Sequence, residues 1–194
     1  MGWLTGKTAR LVGTSPAIAA ALTAQGAALV EEGDCDVLVH VAPPPADVPA
    51  HEITFDQWRA TLDAGLDQRF LLAKDFAALR RAAHKGGAVV FVGAPEQALG
   101  ADQAAAGGGL GNLTKTLGVE WARDGIRVNT VQTRSSGETL GNLVAYLASD
   151  YAAYVTGAAG SAAPLHLDWP RRGPTSPCSR SCPNAPRKPP RGFA

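Results

Sequence analysis

Residues 118–131 read GVEWARDGIRVNTV, and this stretch decides the fold class. It closes a segment of helical length, passes through Asp124 and Gly125, and opens a short apolar run with the length of a buried strand. The same succession recurs along the chain, and it predicts an α/β protein in which helices cover both faces of a doubly wound parallel sheet of about five to six strands. Predicted strands at 8–12, 27–30, 37–41, 88–92 and 127–131 alternate with predicted helices at 16–25, 54–84, 102–123 and 139–149, the second of which Thr54 or Asp56 can cap.

Length, composition and charge narrow the class further. With 194 residues, of which 45% are hydrophobic, the chain can bury one sizeable core. The formal net charge of +1 gives no reason to expect nucleic acid or a membrane as partner, and no apolar stretch approaches the roughly 20 residues that span a bilayer. Cys35, Cys178 and Cys182 match neither a disulfide framework nor a set of metal ligands, so we expect no metal site and a reducing, cytoplasmic location.

The composition changes abruptly at Pro170. From there onward Pro, Arg, Ser and Cys prevail, and almost no aliphatic side chain is available for a core. We therefore predict two parts, an α/β domain over residues 1–169 and a disordered Pro/Arg-rich tail over residues 170–194. A shifted reading frame at the 3′ end of the gene would produce the same change, and the sequence leaves both origins open.

Several stretches resemble the short-chain dehydrogenase/reductase family. The most specific are 118–131, quoted above, and LVAYLASDYAAYVTG at 143–157. In addition, LTGKTARLV at 4–12 resembles the first strand of the family, AIAAALTAQGA at 17–27 its first helix, and FDQWRATLDAGLDQRFLL at 55–72 its central helix. The resemblance implies a shortened Rossmann-like fold and a relationship to NAD(P)-dependent reductases of the 3-oxoacyl-(acyl carrier protein) kind.

The resemblance implies a dinucleotide site, and the sequence departs from the family there. The glycine-rich turn after the first strand reads VGTSPAIAAAL, from which about four residues, including the later glycines, are missing. The vestigial cofactor-binding candidates are Gly13, Thr14, Ser15 and, after the third strand, Ala42. Thr14 and Ser15 are also ordinary helix N-caps, which is the interpretation we favour. We therefore expect no cofactor.

The segment between the second and third strands is also short. Only EEGDC, residues 31–35, stands where the family has a helix, a strand and a helix, so the adenosine pocket is expected to be missing. Glu31 and Glu32 are then solvated loop charges. At the end of the third strand His40 has no carboxylate or metal partner in the sequence, and we expect no catalytic role for it.

The resemblance also locates four catalytic positions. The family reduces a carbonyl with a Tyr acid, a Lys four residues later, a Ser that polarises the substrate oxygen and an Asn on the central helix. Counted from the matching motifs, the Tyr position is Gln103, the Lys position is Gly107, the Asn position is Gly65, and the Ser position is Gly93 or Ala94. None of these residues can release a proton near neutral pH, so no catalytic residue is predicted.

The sequence thus favours a non-catalytic Rossmann-like module, either a structural or regulatory partner of an active reductase or a decaying copy. The alternative is an NAD(P)-dependent, 3-oxoacyl-reductase-like enzyme of altered mechanism. Because members of the family pair through two helices, the predicted helices at 54–84 and 102–123 indicate a homo- or hetero-oligomer with another subunit of the family. In the second of them Leu110, Leu113 and Leu117 form an apolar stripe, which either faces that partner or packs on the chain's own sheet.

Overall fold

The computed structural model describes residues 2–43, 48–93, 100–133 and 137–161, and these build one parallel sheet covered by helices on both faces. The sheet has six strands in the order β2-β1-β3-β4-β5-β6. They are β1 (Thr8–Val12), β2 (Ala28–Val30), β3 (Val37–Val41), β4 (Gly87–Gly93), β5 (Ile126–Gln132) and β6 (Ala159–Ser161). The predicted α/β, Rossmann-like class is confirmed, and β6 is a strand for which we predicted no range.

The described residues form five α-helices, and four of them cover the two faces of the sheet. They are α1 (Pro16–Ala24), α2 (Phe55–Leu62), α3 (Gln68–Ala82), α4 (Ala101–Glu120) and α5 (Glu138–Ala148). Helices α1 and α5 pack together on one face, while α3 and α4 enclose a second apolar cluster on the other. Leu110 and Leu117 of α4 are buried in that second cluster against strands β4 and β5. The apolar stripe of α4 therefore packs on the chain's own sheet, which is the second of the two alternatives that the sequence left open.

The helix predicted at 54–84 begins as expected but does not continue unbroken. Thr54 caps α2 in a capping box: its hydroxyl accepts from the Gln57 N–H at 3.2 Å, and the Gln57 side chain accepts from the Thr54 N–H at 2.9 Å. A π-helical turn at Asp63–Asp67 then separates α2 from α3. Such turns change which side chains face inward, so residues on either side of it reach the sheet from different angles.

The connection between β2 and β3 is unusually short for parallel strands. Strands β2 and β3 lie on opposite sides of β1, and a crossover between parallel strands normally takes a dozen or more residues. Residues 31–36 suffice here because β2 ends at Val30, opposite Arg10 of β1, and β3 begins at Val37, opposite the adjacent residue Ala9. The buried Arg80 of α3 fixes this connection: its guanidinium donates to Asp34 at 3.2 Å, to Asp36 at 2.9 Å and to the Gly86 carbonyl at 2.8 Å. Between β2 and β3 the described chain has no helix or strand, as the sequence predicted.

The described residues all belong to one compact unit, Met1–Pro164. The remaining segment, Leu165–Ala194, lies outside the described residues, and so do Cys178, Cys182 and the domain boundary predicted at 170. No helix in the described part of the chain is long and apolar enough to span a membrane. Over the same residues, His, Cys, Asp and Glu form no group of three or more that could hold a metal ion.

Candidate functional site

A cavity of about 390 Å³ lies at the carboxyl ends of three neighbouring strands. Ala42 follows β3, Gly93 ends β4 and Gln132 ends β5, and all three residues line it. The remaining walls come from α2, the π-helical turn, the start of α3 and the first half of α4. In open parallel sheets, ligands bind in the crevice outside the carboxyl ends of the strands, so the cavity occupies the position where this fold type forms sites.

The four positions that the sequence analysis located meet at this cavity. Gly65, Gly93, Gln103 and Gly107 all line it, while Ala94 lies outside the described residues. The backbone leaves unequal room for larger side chains: a Cβ on Gly65 would lie 2.8 Å from the Cβ of Ala106, whereas one on Gly107 would lie 3.4 Å from Nε2 of Gln132. None of the four residues carries a group that titrates near neutral pH.

The cavity also contains a group that the sequence analysis missed, the guanidinium of Arg69. Arg69 stands in the first turn of α3, is only 1% exposed and lines the cavity. Its Nη2 donates to the Val92 carbonyl at 2.9 Å, its guanidinium lies 6.0 Å from the centre of the Phe91 ring, and its Nε has no hydrogen-bond partner among the described residues. Burial lowers the pKa of Arg69 to about 10, which leaves it cationic at neutral pH.

His40 lies beside Arg69 without lining the cavity. It is 4% exposed, and its cross-strand neighbour in β4 is Phe91. Burial, reinforced by the positive charge of Arg69, lowers the pKa of His40 to about 4, and its Nδ1 has no partner among the described residues. At neutral pH the imidazole is therefore uncharged and holds no proton that it could release as an acid.

Comparison with known proteins identifies the family. The family model described as "Enoyl-(Acyl carrier protein) reductase" matches residues 12–137. The chain belongs to the short-chain dehydrogenase/reductase family. It is 34% identical over 166 residues to the cis-4-hydroxycyclohexanecarboxylate dehydrogenase of Sinomonas cyclohexanicum, an alignment that covers 68% of this chain and 65% of that protein.

A second relative matches this chain with similar identity and coverage. The chain is 31% identical over 174 residues to the (5R,7aS)-5-hydroxy-7a-methyl-1-oxo-2,3,5,6,7,7a-hexahydro-1H-indene-carboxyl-CoA reductase of Mycobacterium tuberculosis, with 70% of this chain and 66% of that protein covered. The chain thus spans slightly less than two thirds of the length of either relative.

Solved structures of the short-chain dehydrogenase/reductase family share the fold. A short-chain type dehydrogenase/reductase from Mycobacterium marinum superposes with a TM-score of 0.74 at 19% identity, covering 81% of this chain and 94% of that one. A putative NAD(P)-dependent gluconate 5-dehydrogenase from Beutenbergia cavernae, solved with NADP bound at low occupancy, gives a TM-score of 0.74 at 21% identity and covers 81% and 95%. At these identities the likeness shows a common fold.

The residues predicted as vestiges of the family's dinucleotide site lie in two places in the structure. Gly13 takes a left-handed conformation with φ of 91°, and a Cβ there would collide with the Val41 carbonyl. Ser15 caps α1 by accepting from the Ile18 N–H at 3.4 Å, as the cap interpretation predicted, while Thr14 is exposed. Ala42 instead lines the cavity. Their role as cofactor contacts stays a prediction.

The family's proton donor has no counterpart on the described cavity wall. The chain has three tyrosines, and none of Tyr146, Tyr151 and Tyr154 lines the cavity. No described lysine lines it either. The polar side chains that do are those of Thr61, Arg69, Gln103 and Gln132. This set can donate hydrogen bonds and hold a positive charge, but it supplies no group with a pKa suited to proton transfer.

Proposed function

We propose that this chain is a non-catalytic member of the short-chain dehydrogenase/reductase family that keeps the family's cavity as a small-molecule binding site. One observation carries the proposal: the four positions matching the family's Asn, Ser, Tyr and Lys surround one cavity and hold no group able to transfer a proton. The cavity itself has a volume of about 390 Å³, within the roughly 300–1,000 Å³ of small-molecule sites. Binding can therefore persist where the usual reduction cannot.

The residues around α1 do not fit a nicotinamide dinucleotide held in the manner of the family. A helix start binds a pyrophosphate through free N–H groups, yet Pro16 has none and Ser15 already accepts from the N–H of Ile18. Gly107 offers no ammonium group for a ribose. On these grounds we propose that neither NAD nor NADP is a cofactor of this chain.

A second candidate function is an NAD(P)-dependent oxidoreductase of altered mechanism. The names of both relatives, a dehydrogenase and a reductase, favour it over a non-catalytic module. The Beutenbergia structure, whose title names bound NADP, points the same way. Against it stands the chemistry of the cavity, in which the described lining residues include no acid of intermediate pKa.

We also propose that the chain forms homo-oligomers or associates with another subunit of the family in the cytoplasm. Helix α3 leaves Phe70, Leu71 and Leu79 between 40% and 51% exposed, and Val119 near the end of α4 is 79% exposed. Exposed apolar side chains on two helices that cover the same face of the sheet favour a protein partner. Light scattering on Leu71→Glu beside the unchanged chain tests this: a species of identical monomer mass in both samples, alone and mixed with an active family member, contradicts association.

Calorimetry with NADH and NADPH, followed by an assay of turnover, separates the two candidate functions. The assay uses cis-4-hydroxycyclohexanecarboxylate with NAD⁺ or NADP⁺, and the Sinomonas enzyme serves as the positive control. We expect no cofactor binding tighter than about millimolar, equivalent to roughly −4 kcal/mol, and no turnover. Micromolar binding with measurable turnover would establish the second candidate and reject the first.

A double variant tests whether the cavity retains latent activity. Gln103→Tyr combined with Gly107→Lys restores two of the four family side chains and leaves Gly65, at the Asn position, unchanged. A side chain at Gly65 would collide with Ala106, since its Cβ would lie 2.8 Å from the Ala106 Cβ. The shortened turn after β1 also remains. We therefore expect the double variant to be as inactive as the unchanged chain, and turnover of the same substrate by it would show that the pocket is still a dehydrogenase site.

A further inference from the structure

We propose that the cavity binds a small organic carboxylate with an apolar body, and that Arg69 is the residue that binds the carboxylate group. The inference rests on the proposed function, since it names the ligand class for the same cavity. It starts from a buried cation whose charge nothing in the described structure balances.

The contacts of Arg69 leave part of its binding capacity unused. A guanidinium has five N–H donors in a planar fork that matches a carboxylate. The described structure gives Arg69 one hydrogen bond, from Nη2 to the Val92 carbonyl at 2.9 Å, and gives its Nε none. No acidic side chain of the described residues lies within ion-pair distance of it. A buried charge in this condition is stabilised by any anion that reaches it from the cavity.

The cavity gives an anion access to this charge. Arg69 is 1% exposed as a residue, yet it belongs to the cavity wall together with Gly93. A Cβ on Gly93 would lie 3.2 Å from Nη1 of Arg69, so a side chain at this family position would crowd the guanidinium where it meets the cavity wall. The glycine at the family's Ser position thus leaves Nη1 of Arg69 next to the cavity.

The rest of the wall suits the other end of such a ligand. Alanines, Pro43 and Leu110 provide its apolar side chains, and no acidic side chain of the described residues lines it. Asp63 and Asp102 each adjoin a lining residue in sequence, but Oδ2 of Asp63 accepts from Nε2 of Gln68 at 2.8 Å and Oδ2 of Asp102 accepts from the Thr61 hydroxyl at 2.6 Å. The charge of Asp102 is therefore partly satisfied behind Thr61. A carboxylate at Arg69 with an apolar group against the alanine wall matches the chemistry of both ends.

The test uses a carboxylate and its uncharged isostere, measured on the full chain by calorimetry in a buffer free of carboxylate and phosphate. The probes are 4-phenylbutanoate and 4-phenylbutanamide. We expect the acid to bind at least about tenfold more tightly than the amide, and Arg69→Leu to weaken binding of the acid by at least about thirtyfold while leaving the amide unchanged. Arg123→Leu, which removes the same charge from an exposed position, is the matched control and should leave both affinities unchanged.

A second measurement keeps the test independent of how well the Leu variant folds. The Nε–H resonance of Arg69 in the unchanged chain should shift and exchange more slowly on addition of the acid, and Arg69→Lys should retain intermediate affinity because it keeps the charge and loses the fork. Equal binding of acid and amide, or equal acid binding by the Leu variant, overturns the inference and leaves the proposed binding function standing. Absence of binding by the acid also overturns it. NAD(P)-dependent turnover would instead reject the proposed function, whatever Arg69 does.

Discussion

Two buried arginines on helix α3 have opposite surroundings. Arg80 is 4% exposed and donates to two carboxylates and a carbonyl, which ties α3 to the short connection between β2 and β3. Arg69, about three turns earlier on the same face, is 1% exposed and donates to a single carbonyl beside an open cavity. Helix α3 therefore carries one arginine that is paired with carboxylates, at the amino end of the strands, and one that has no described carboxylate partner, at their carboxyl end.

The charges around the two arginines differ in the same way. Asp36, which binds Arg80, also accepts from the Thr8 N–H at 2.9 Å and from its hydroxyl at 3.1 Å. Burial opposes ionisation of Asp36, but these hydrogen bonds and the charge of Arg80 outweigh burial and lower its pKa. At the other end His40 has the reverse condition, since burial and a neighbouring like charge keep it neutral. The amino edge of the sheet is therefore stabilised by paired charges, whereas the carboxyl edge carries a buried cation with no described counter-charge beside the cavity.

The largest expected effect comes from removing the hydrogen bonds and ion pairs of Arg80. Arg80→Met removes the cation from Asp34 and Asp36 and frees the Gly86 carbonyl, so we expect the free energy of unfolding to fall by roughly 3 to 4 kcal/mol. Because both carboxylates are partly exposed, the lower end of that range is the better guide. Urea denaturation of the variant beside Arg81→Met, whose ion pair with Asp124 is on the surface, gives the comparison. Losses of equal size in the two variants would contradict the claim that Arg80 stabilises the fold more than a surface arginine does.

The second effect is a pH dependence of the free energy of unfolding, which we expect from His40 beside Arg69. The folded-state pKa of His40 is about 4 against an ordinary 6.5, so between those values the unfolded chain binds more protons and stability falls as pH falls. At about 1.4 kcal/mol per pKa unit, the loss between pH 7 and pH 4 approaches about 3 kcal/mol. The lowered pKa of Asp36 acts in the same direction, but only below its ordinary value of 3.8.

Unfolding by urea at intervals between pH 7 and pH 4.5 measures this dependence. The His40→Leu variant should lack most of the decline over that window, and His51→Leu, which changes an exposed histidine, should keep it. If His40→Leu and the unchanged chain lose stability in parallel, the neutral, buried state of His40 is incorrect.

The fold was predictable because its signals are local. The strands 8–12 and 37–41 were located to the residue, since short β-branched runs between Gly, Asp or Pro leave few other conformations. The π-helical turn at Asp63–Asp67 was not foreseen, because an extra residue in a helix is set by packing rather than by propensity. Strand β6 was missed because Ala159–Ser161 is too short and too small to give an apolar signal.

The site was predictable in part. Positions counted from the family's motifs did converge on one cavity, but Arg69 went unnoticed because an arginine in a helix is usually exposed. A signal for it existed in the spacing. The buried residues of α3 are Arg69, Ala73, Phe76, Ala77 and Arg80, a stripe of helical period whose two ends are both arginine. Charged residues in phase with the apolar face of a helix mark buried cations, and each then requires a partner.

A smaller effect of opposite sign is expected at Arg69. Arg69→Leu removes a buried charge without orphaning the Val92 carbonyl, which also accepts from the Ala42 N–H at 3.0 Å. Replacing an uncompensated buried charge by an apolar side chain is expected to raise the free energy of unfolding by about 1 to 2 kcal/mol. Urea denaturation in the absence of ligand measures the change. Destabilisation by more than about 1 kcal/mol would mean that Arg69 supports the fold as Arg80 does, and the contrast between them would be lost.

The smallest expected effect is a gain in stability from replacing a glycine in helix α4, near the carboxyl edge of the sheet. Helix α4, which forms one wall of the cavity, contains Gly108, where a Cβ would meet no atom within 4 Å. Because glycine in a helix interior is less favourable than alanine by roughly 0.5 to 1 kcal/mol, Gly108→Ala should raise the free energy of unfolding by that amount. Gly109→Ala is the matched control, since its Cβ would lie 3.1 Å from Cδ2 of Leu66 and should offset part of the same gain. Equal gains in the two variants would show that Leu66 yields freely. No gain at Gly108 would contradict the expectation that the conformational freedom of this glycine lowers the stability of α4.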